Sequence, residues 1–168
     1  MDQNRRLFRL DALLRGRPQA WANLRGSSLY PSLRGTVRFY GHPFGTLVVA
    51  EVEGLPDTQN ACDSPIFGFH IHEGDACTGN LDDPFADVRT HYNPRGCPHP
   101  YHVGDLPPLF GVNGYAFGAC LTDRFLVHEV IGRTVILHGS PDDFTTQPSG
   151  NAGNKIACGQ IVGFVRRR

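Results

Sequence analysis

Glycine and proline cut this chain into short pieces. There are 20 glycines and 13 prolines among 168 residues, and that punctuation suits a fold of many turns. Between the breaks lie eight short segments that read as strands: AWANLR, GTVRFY, TLVVAEVEGL, FGFHIHE, GYAFGACL, RFLVHEV, RTVILH and GQIVGFV. Val37 and Phe39 alternate with polar neighbours, and Val48, Ala50 and Val52 share one face, the period of two expected of a half-buried strand. GYAFGACL and RFLVHEV are expected to pair as a hairpin around Thr122–Asp123. The set predicts an all-β sandwich or barrel. A chain of 18.5 kDa fits one domain with a real core.

Ahead of the strands, Leu7, Leu10, Leu13 and Leu14 fall on one face at helical spacing. Residues 1–17 are therefore expected to form a short, helical N-terminal extension, and residues 18–168 the domain. Sixteen basic and sixteen acidic residues cancel. Overall charge thus gives no support to a nucleic-acid or anionic-membrane partner, and Arg166–Arg168 read as a solvated end. No apolar run approaches the roughly 20 residues needed to span a bilayer. Arg5, Arg6, Arg9 and Asp11 interrupt any signal-peptide core, so a cytoplasmic protein is expected.

Two stretches break the strand rhythm. One runs from Asp75 to about Phe110, the other from Gly139 to Lys155. Loops this long inside a small domain usually carry function. Six of the eight histidines lie in them or at the adjoining strand ends. His70 and His72 stand at i, i+2 in a strand, so both point to one side. His91, His99, His102 and Asp105 follow in the first loop, and His138 ends RTVILH. His42 and His128 read as ordinary polar residues. The other six, with one aspartate, read as a metal site. Imidazoles joined by a carboxylate suit a closed tetrahedral zinc site. Imidazoles alone, with no thiolate, suit a redox-capable copper site. Both sets are available if one histidine is shared. Composition and spacing stop there. HEGDA is not H-E-x-x-H, and nucleophile-elbow, phosphate-loop and dinucleotide-binding motifs are missing.

The five cysteines, Cys62, Cys77, Cys97, Cys120 and Cys158, form no C-x-x-C pair. By default they read as free, mostly buried thiols.

Five motifs in order, GFHIHEGD, HYNP, HVGDLP, GRTVILH and GNAGNKIACG, resemble the copper/zinc superoxide dismutase family across about residues 18–165. The resemblance implies an eight-stranded Greek-key β-barrel whose two long loops hold copper and zinc. It implies His70, His72, His91 and His138 as copper ligands, with His91 bridging to zinc. His99, His102 and Asp105 complete the zinc set. Asp142 matches the aspartate that steadies one histidine of each metal through their free N–H groups. Cys77 and Cys158 match the family's disulfide. Cys97 and Cys120, with Cys62, find no counterpart, and a Cys62–Cys97 bridge is only a guess beside free thiols.

Three departures stand out. The family's active-site arginine is Lys155 here, which keeps the charge but loses the planar fork. The segment between Asp142 and Gly150 is short, carries FTTQPS and promises less steering of an anion. HEGD is one residue shorter than usual at a position of the family's dimer contact, which leaves a homodimer open. The implied activity is an alternating Cu(II)/Cu(I) cycle turning superoxide into dioxygen and hydrogen peroxide. In it His91 takes and returns a proton and Lys155 draws in the anion. The rivals are a copper-binding or metallochaperone-like domain with little dismutase activity, and a structural barrel with zinc alone. The complete copper set argues against both.

Overall fold

Alternating side chains build this barrel from the outset of the domain. The computed structural model describes residues 14–56 and 65–164. The expected helix over residues 5–14 lies almost wholly outside the described residues, as do Cys62 and Arg166–Arg168. At its end, Leu14 and Arg15 carry helical backbone. The strands are β1 (Ala20–Gly26), β2 (Arg34–His42), β3 (Gly45–Glu53), β4 (Ile66–Phe67), β5 (Phe69–His72), β6 (Leu109–Val112), β7 (Tyr115–Thr122), β8 (Thr134–His138) and β9 (Lys155–Gly163). They pair antiparallel in the order β4-β6-β7-β3-β2-β1-β9-β8-β5.

The two ends of that order, β4 and β5, are consecutive in the chain and separated only by Gly68. Counted as one interrupted strand, they close the sheet on itself as the expected eight-stranded barrel. The connection from β3 to β4 passes over β6 and β7, and that from β7 to β8 passes over β6 and the β4–β5 strand. Such long returns make a Greek key. Residue 68 has no room for a side chain. A Cβ there would stand 2.8 Å from Ala152 Cβ. The Gly68 amide instead donates to the Ser140 carbonyl, and its carbonyl accepts from the His138 amide.

Val37, Phe39, Val48, Ala50 and Val52 point inward, where they meet Leu24, Leu137, Ile156 and Ile161 in one core cluster. Each of these except the small Ala50 contributes roughly 1.5–3 kcal/mol on burial.

Two expectations fail. RFLVHEV is not a strand: Val127–Val130 is a short helix. Its buried residues Val127 and Val130 are three apart, a helical rather than an alternating spacing. The Glu129 carboxylate accepts the Leu126 amide at 2.6 Å to start the turn. The true hairpin partner of β7 is β6, which falls inside the stretch expected to be loop, so the first long loop ends before Leu109. Asn113 and Gly114 both adopt positive φ, 51° and 77°, as a two-residue turn of this hand requires.

The first loop is fastened to the outside of the barrel. Phe85 and Val88 pack on Ile136 of β8 and Cys158 of β9, with Cys77 alongside. Cys77 and Cys158 form a disulfide across 81 residues, with Cα atoms 5.6 Å apart. Cys97 and Cys120 are free thiols, half-buried rather than buried. Replacing both Cys77 and Cys158 by serine should lower stability by up to about 4 kcal/mol, read by equilibrium urea unfolding of the metal-free protein. An unchanged midpoint would mean that the apolar contacts alone hold the loop.

Candidate metal centre

The site begins at the free edge of β5. One edge of β5 pairs with β8. The other is taken by the first loop: the Tyr92 amide donates to the Ile71 carbonyl and the Ile71 amide to the Gly104 carbonyl, both at 2.8 Å. These bonds set His72 opposite His91 and His70 opposite Asp105. β8 brings His138 to the same place, with an irregularity in register between Leu137 and His138.

The six histidines and Asp105 gather into two buried groups. His70, His72, His91 and His138 form one, and His91, His99, His102 and Asp105 the other, with ligand atoms in each within 4.8 Å of one another. His91 belongs to both. His42 and His128 belong to neither group.

Acceptor-only partners decide which nitrogen of each ring carries a proton. His72 Nδ1 donates to the Arg89 carbonyl at 3.0 Å, and His138 Nδ1 to the Gly153 carbonyl at 3.2 Å. Their Nε2 atoms are left facing each other, 3.4 Å apart. His70 Nε2 and His99 Nε2 donate to opposite oxygens of Asp142 at 2.7 and 2.9 Å. Their Nδ1 atoms then face the site. Three Nδ1 atoms converge on the Asp105 carboxylate: His91 at 2.8 Å, His99 at 3.1 Å and His102 at 3.3 Å.

Among the described residues, three buried nitrogens have no hydrogen-bond partner: His70 Nδ1, His91 Nε2 and His99 Nδ1. The last is close to Asp105 but off the line of a hydrogen bond. Unsatisfied buried polar atoms are costly. These belong to the residues of the two groups, so the donor set fits cations. One set is nitrogen alone, as copper takes, and one is nitrogen with a carboxylate, as zinc takes.

Burial pushes the pKa of His70 down to about 4 and that of His138 to about 3. It holds His72 well below the ordinary value as well. These rings are thus neutral at pH 7, the form that binds a metal. Burial alone would raise the Asp142 pKa, but hydrogen bonds from His70, the Phe144 amide and His99 outweigh it and keep the carboxylate ionised. Asp105 is likewise held below the usual carboxylate range: burial alone would raise it, but the His91 hydrogen bond together with the charges of His91, His102 and His99 outweighs burial.

Several supports were not visible in the sequence. Arg124 donates to the carbonyls of Pro100, His102 and Asp105 at 3.0, 3.0 and 3.1 Å, gathering the turn that carries two ligands. Gln147, from the short FTTQPS segment, pairs its amide with the backbone of His99, accepting at 3.0 Å and donating at 2.7 Å. No local pattern marks either residue. Gly150 (φ 68°) passes so close to Asp142 that a Cβ would stand 2.0 Å from its Oδ1. A cleft of about 600 Å³ opens onto His72, His91, His102 and His138. Lys155 lines it, but its ammonium is ion-paired with Asp83.

The depressed pKa values tie stability to pH. In an unfolded chain histidines take up protons near 6.5, whereas in the fold His70 and His138 do so only near 4 and 3. Between those limits the unfolded state binds more protons. The stabilising contribution is complete above pH 6.5 and drains away as pH falls toward 4, and the carboxylates extend the loss below that. Calorimetry of the metal-free protein should show Tm falling steadily from pH 7 to 4.5. A flat Tm across that window would contradict the buried, neutral rings.

Comparison with known proteins agrees with this geometry. The family model described as copper/zinc superoxide dismutase matches residues 33–161. A Superoxide dismutase [Cu-Zn] of Deinococcus radiodurans is 32% identical over 144 residues, covering 74% of this chain and 75% of that one. One of Legionella pneumophila is 31% identical over 139 residues, covering 78% and 79%. An extracellular superoxide dismutase [Cu-Zn] of Mus musculus is 32% identical over 139 residues, covering 76% of this chain and 53% of the mouse protein. With its closed eight-stranded barrel, its Cys77–Cys158 disulfide and two histidine groups meeting at His91, the chain belongs to the copper/zinc superoxide dismutase family.

Proposed function

We propose that this protein dismutates superoxide at copper held by His70, His72, His91 and His138, beside zinc held by His91, His99, His102 and Asp105. The observation that carries the reading is the double membership of His91. Its Nδ1 lies on Asp105 in one group, while its buried Nε2 has no partner and belongs to the other. Residues 18–168 are taken as the catalytic domain and residues 1–17 as an extension.

When bound, copper supplies a reversible one-electron couple, by which two superoxide anions and two protons become dioxygen and hydrogen peroxide, and zinc supplies a fixed charge. The protein does the rest. The Arg89 and Gly153 carbonyls hold His72 and His138 with Nε2 inward. Asp142 holds His70 and His99 with Nδ1 inward. His91 Nε2 is the atom that takes up and returns a proton, since its ring is fixed from the far side through Nδ1. Lys155 adds positive charge at the cleft mouth, though Asp83 largely compensates it.

A zinc-only barrel leaves the all-imidazole group without a role, and a copper-binding or metallochaperone-like domain would fill it without turnover, which the assay below separates. A homodimer is part of the reading, supported by an apolar outer face on β6 and β7. There Phe110, Val112 and Phe117 are 64%, 62% and 57% exposed, a patch of the kind that marks interaction surfaces. We keep a cytoplasmic location. The half-buried Cys77 and buried Cys158 make a bridge partly sheltered from the reductants there. Among the described residues, no helix is long and apolar enough to cross a membrane.

The test is superoxide dismutation by protein reconstituted with both metals, with metal content measured. Activity should track copper, and His138→Ala should lose both copper and activity to background. Full copper loading without turnover would sink the dismutase reading.

A further inference from the structure

The cleft over the histidines has four charged wall residues: Asp82, Asp83, Arg89 and Lys155. Lys155 is committed to Asp83. Arg89 is not committed. It is exposed, and its guanidinium has no hydrogen bond or ion pair with any described residue. The other arginines beside the site are engaged: Arg124 on three carbonyls, Arg95 on the Arg124 carbonyl and Arg133 over the Tyr92 ring.

The backbone at Arg89 is unusual. Its φ is 61° and its ψ −139°, a region that only glycine enters without strain. The conformation has a purpose, because the Arg89 carbonyl orients His72. Any residue supplies a carbonyl, however, and glycine would do so at no steric cost. A side chain kept where a side chain is strained calls for a role of its own.

We propose that Arg89, rather than Lys155, is the cation that docks the anionic substrate in this cleft. The inference rests on the dismutase reading. Arg89 is a single residue away in sequence from Thr90 and two from the shared His91, and its carbonyl is bonded to His72. Arg89 thus stands on the cleft wall, on the same segment that positions two histidines. A guanidinium also offers the planar, multiply donating fork that an ammonium lacks. The Lys155–Asp83 pair then acts as a compensated wall, leaving Arg89 as the unpaired cation, with Asp82 the remaining acid of the wall, in the field that an incoming anion meets.

The test compares Arg89→Gln, Arg89→Lys, Arg89→Gly and Lys155→Gln in the metal-loaded protein. Azide binding is followed by absorbance, kcat/KM for superoxide at low and high salt, and Tm. Arg89→Gln should weaken azide binding and lower kcat/KM at low salt by roughly tenfold, with a flatter salt dependence. Arg89→Lys should recover much of both. Arg89→Gly should bind azide as poorly as Arg89→Gln yet melt at a higher temperature, because the strain is relieved. Lys155→Gln should cost less than Arg89→Gln. Wild-type azide affinity in Arg89→Gln, no recovery in Arg89→Lys, or a larger loss in Lys155→Gln would overturn the proposal. Azide binding that depends on Arg89 in a wild-type protein without turnover would instead preserve the docking role and remove the dismutase reading beneath it.

Discussion

One buried carboxylate ties this structure together. Asp142, with a side chain only 1% exposed, receives N–H groups from His70 on β5, from His99 in the first long loop and from the Phe144 amide in its own loop. Burying a charge costs several kcal/mol unless donors surround it. Here three donors from three segments do so. The same bonds fix two ring tautomers, one in each histidine group, and lock both loops to the barrel edge. The close passage of Gly150 follows, since the second loop must fold tightly over that carboxylate.

The barrel makes this possible by ending one strand at the site. β5 has a free edge, and the first loop fills it, the backbone of Tyr92 and Gly104 bonding that of Ile71. Sheet hydrogen bonding, normally a feature of scaffold, thereby sets the spacing between ligands. The opposite end of that loop is held by different forces. Phe85 and Val88 sit on Ile136, and the disulfide clamps Cys77 to β9. The loop is anchored at both ends by the barrel, so its histidines are positioned by rigid elements although they lie outside them.

Much of this was legible in the sequence, for identifiable reasons. Period-two patterning found the core faces of β2 and β3, and the i, i+2 pair His70 and His72 placed two rings on one side. The grouping of the remaining ligands came from the family resemblance, because partners such as His99 and Asp142 are 43 residues apart and no local rule links them. The hairpin error came from reading RFLVHEV by composition alone. Its β-branched residues suit a strand, but Val127 and Val130 are three apart, and Asn113–Gly114 was the stronger turn signal. The compensation of Lys155 by Asp83 could not be read at all. It depends on where the first loop docks, which Phe85 and Val88 decide through tertiary packing.

The central claim is that hydrogen bonds, before any metal arrives, set the ring tautomers that make the two groups. Long-range proton–nitrogen NMR of the metal-free protein at pH 7 tests it directly. The account predicts the proton on Nε2 in His70 and His99 and on Nδ1 in His72 and His138. Rings averaging between tautomers, or holding the opposite one, would show that the metals organise the site and the protein does not.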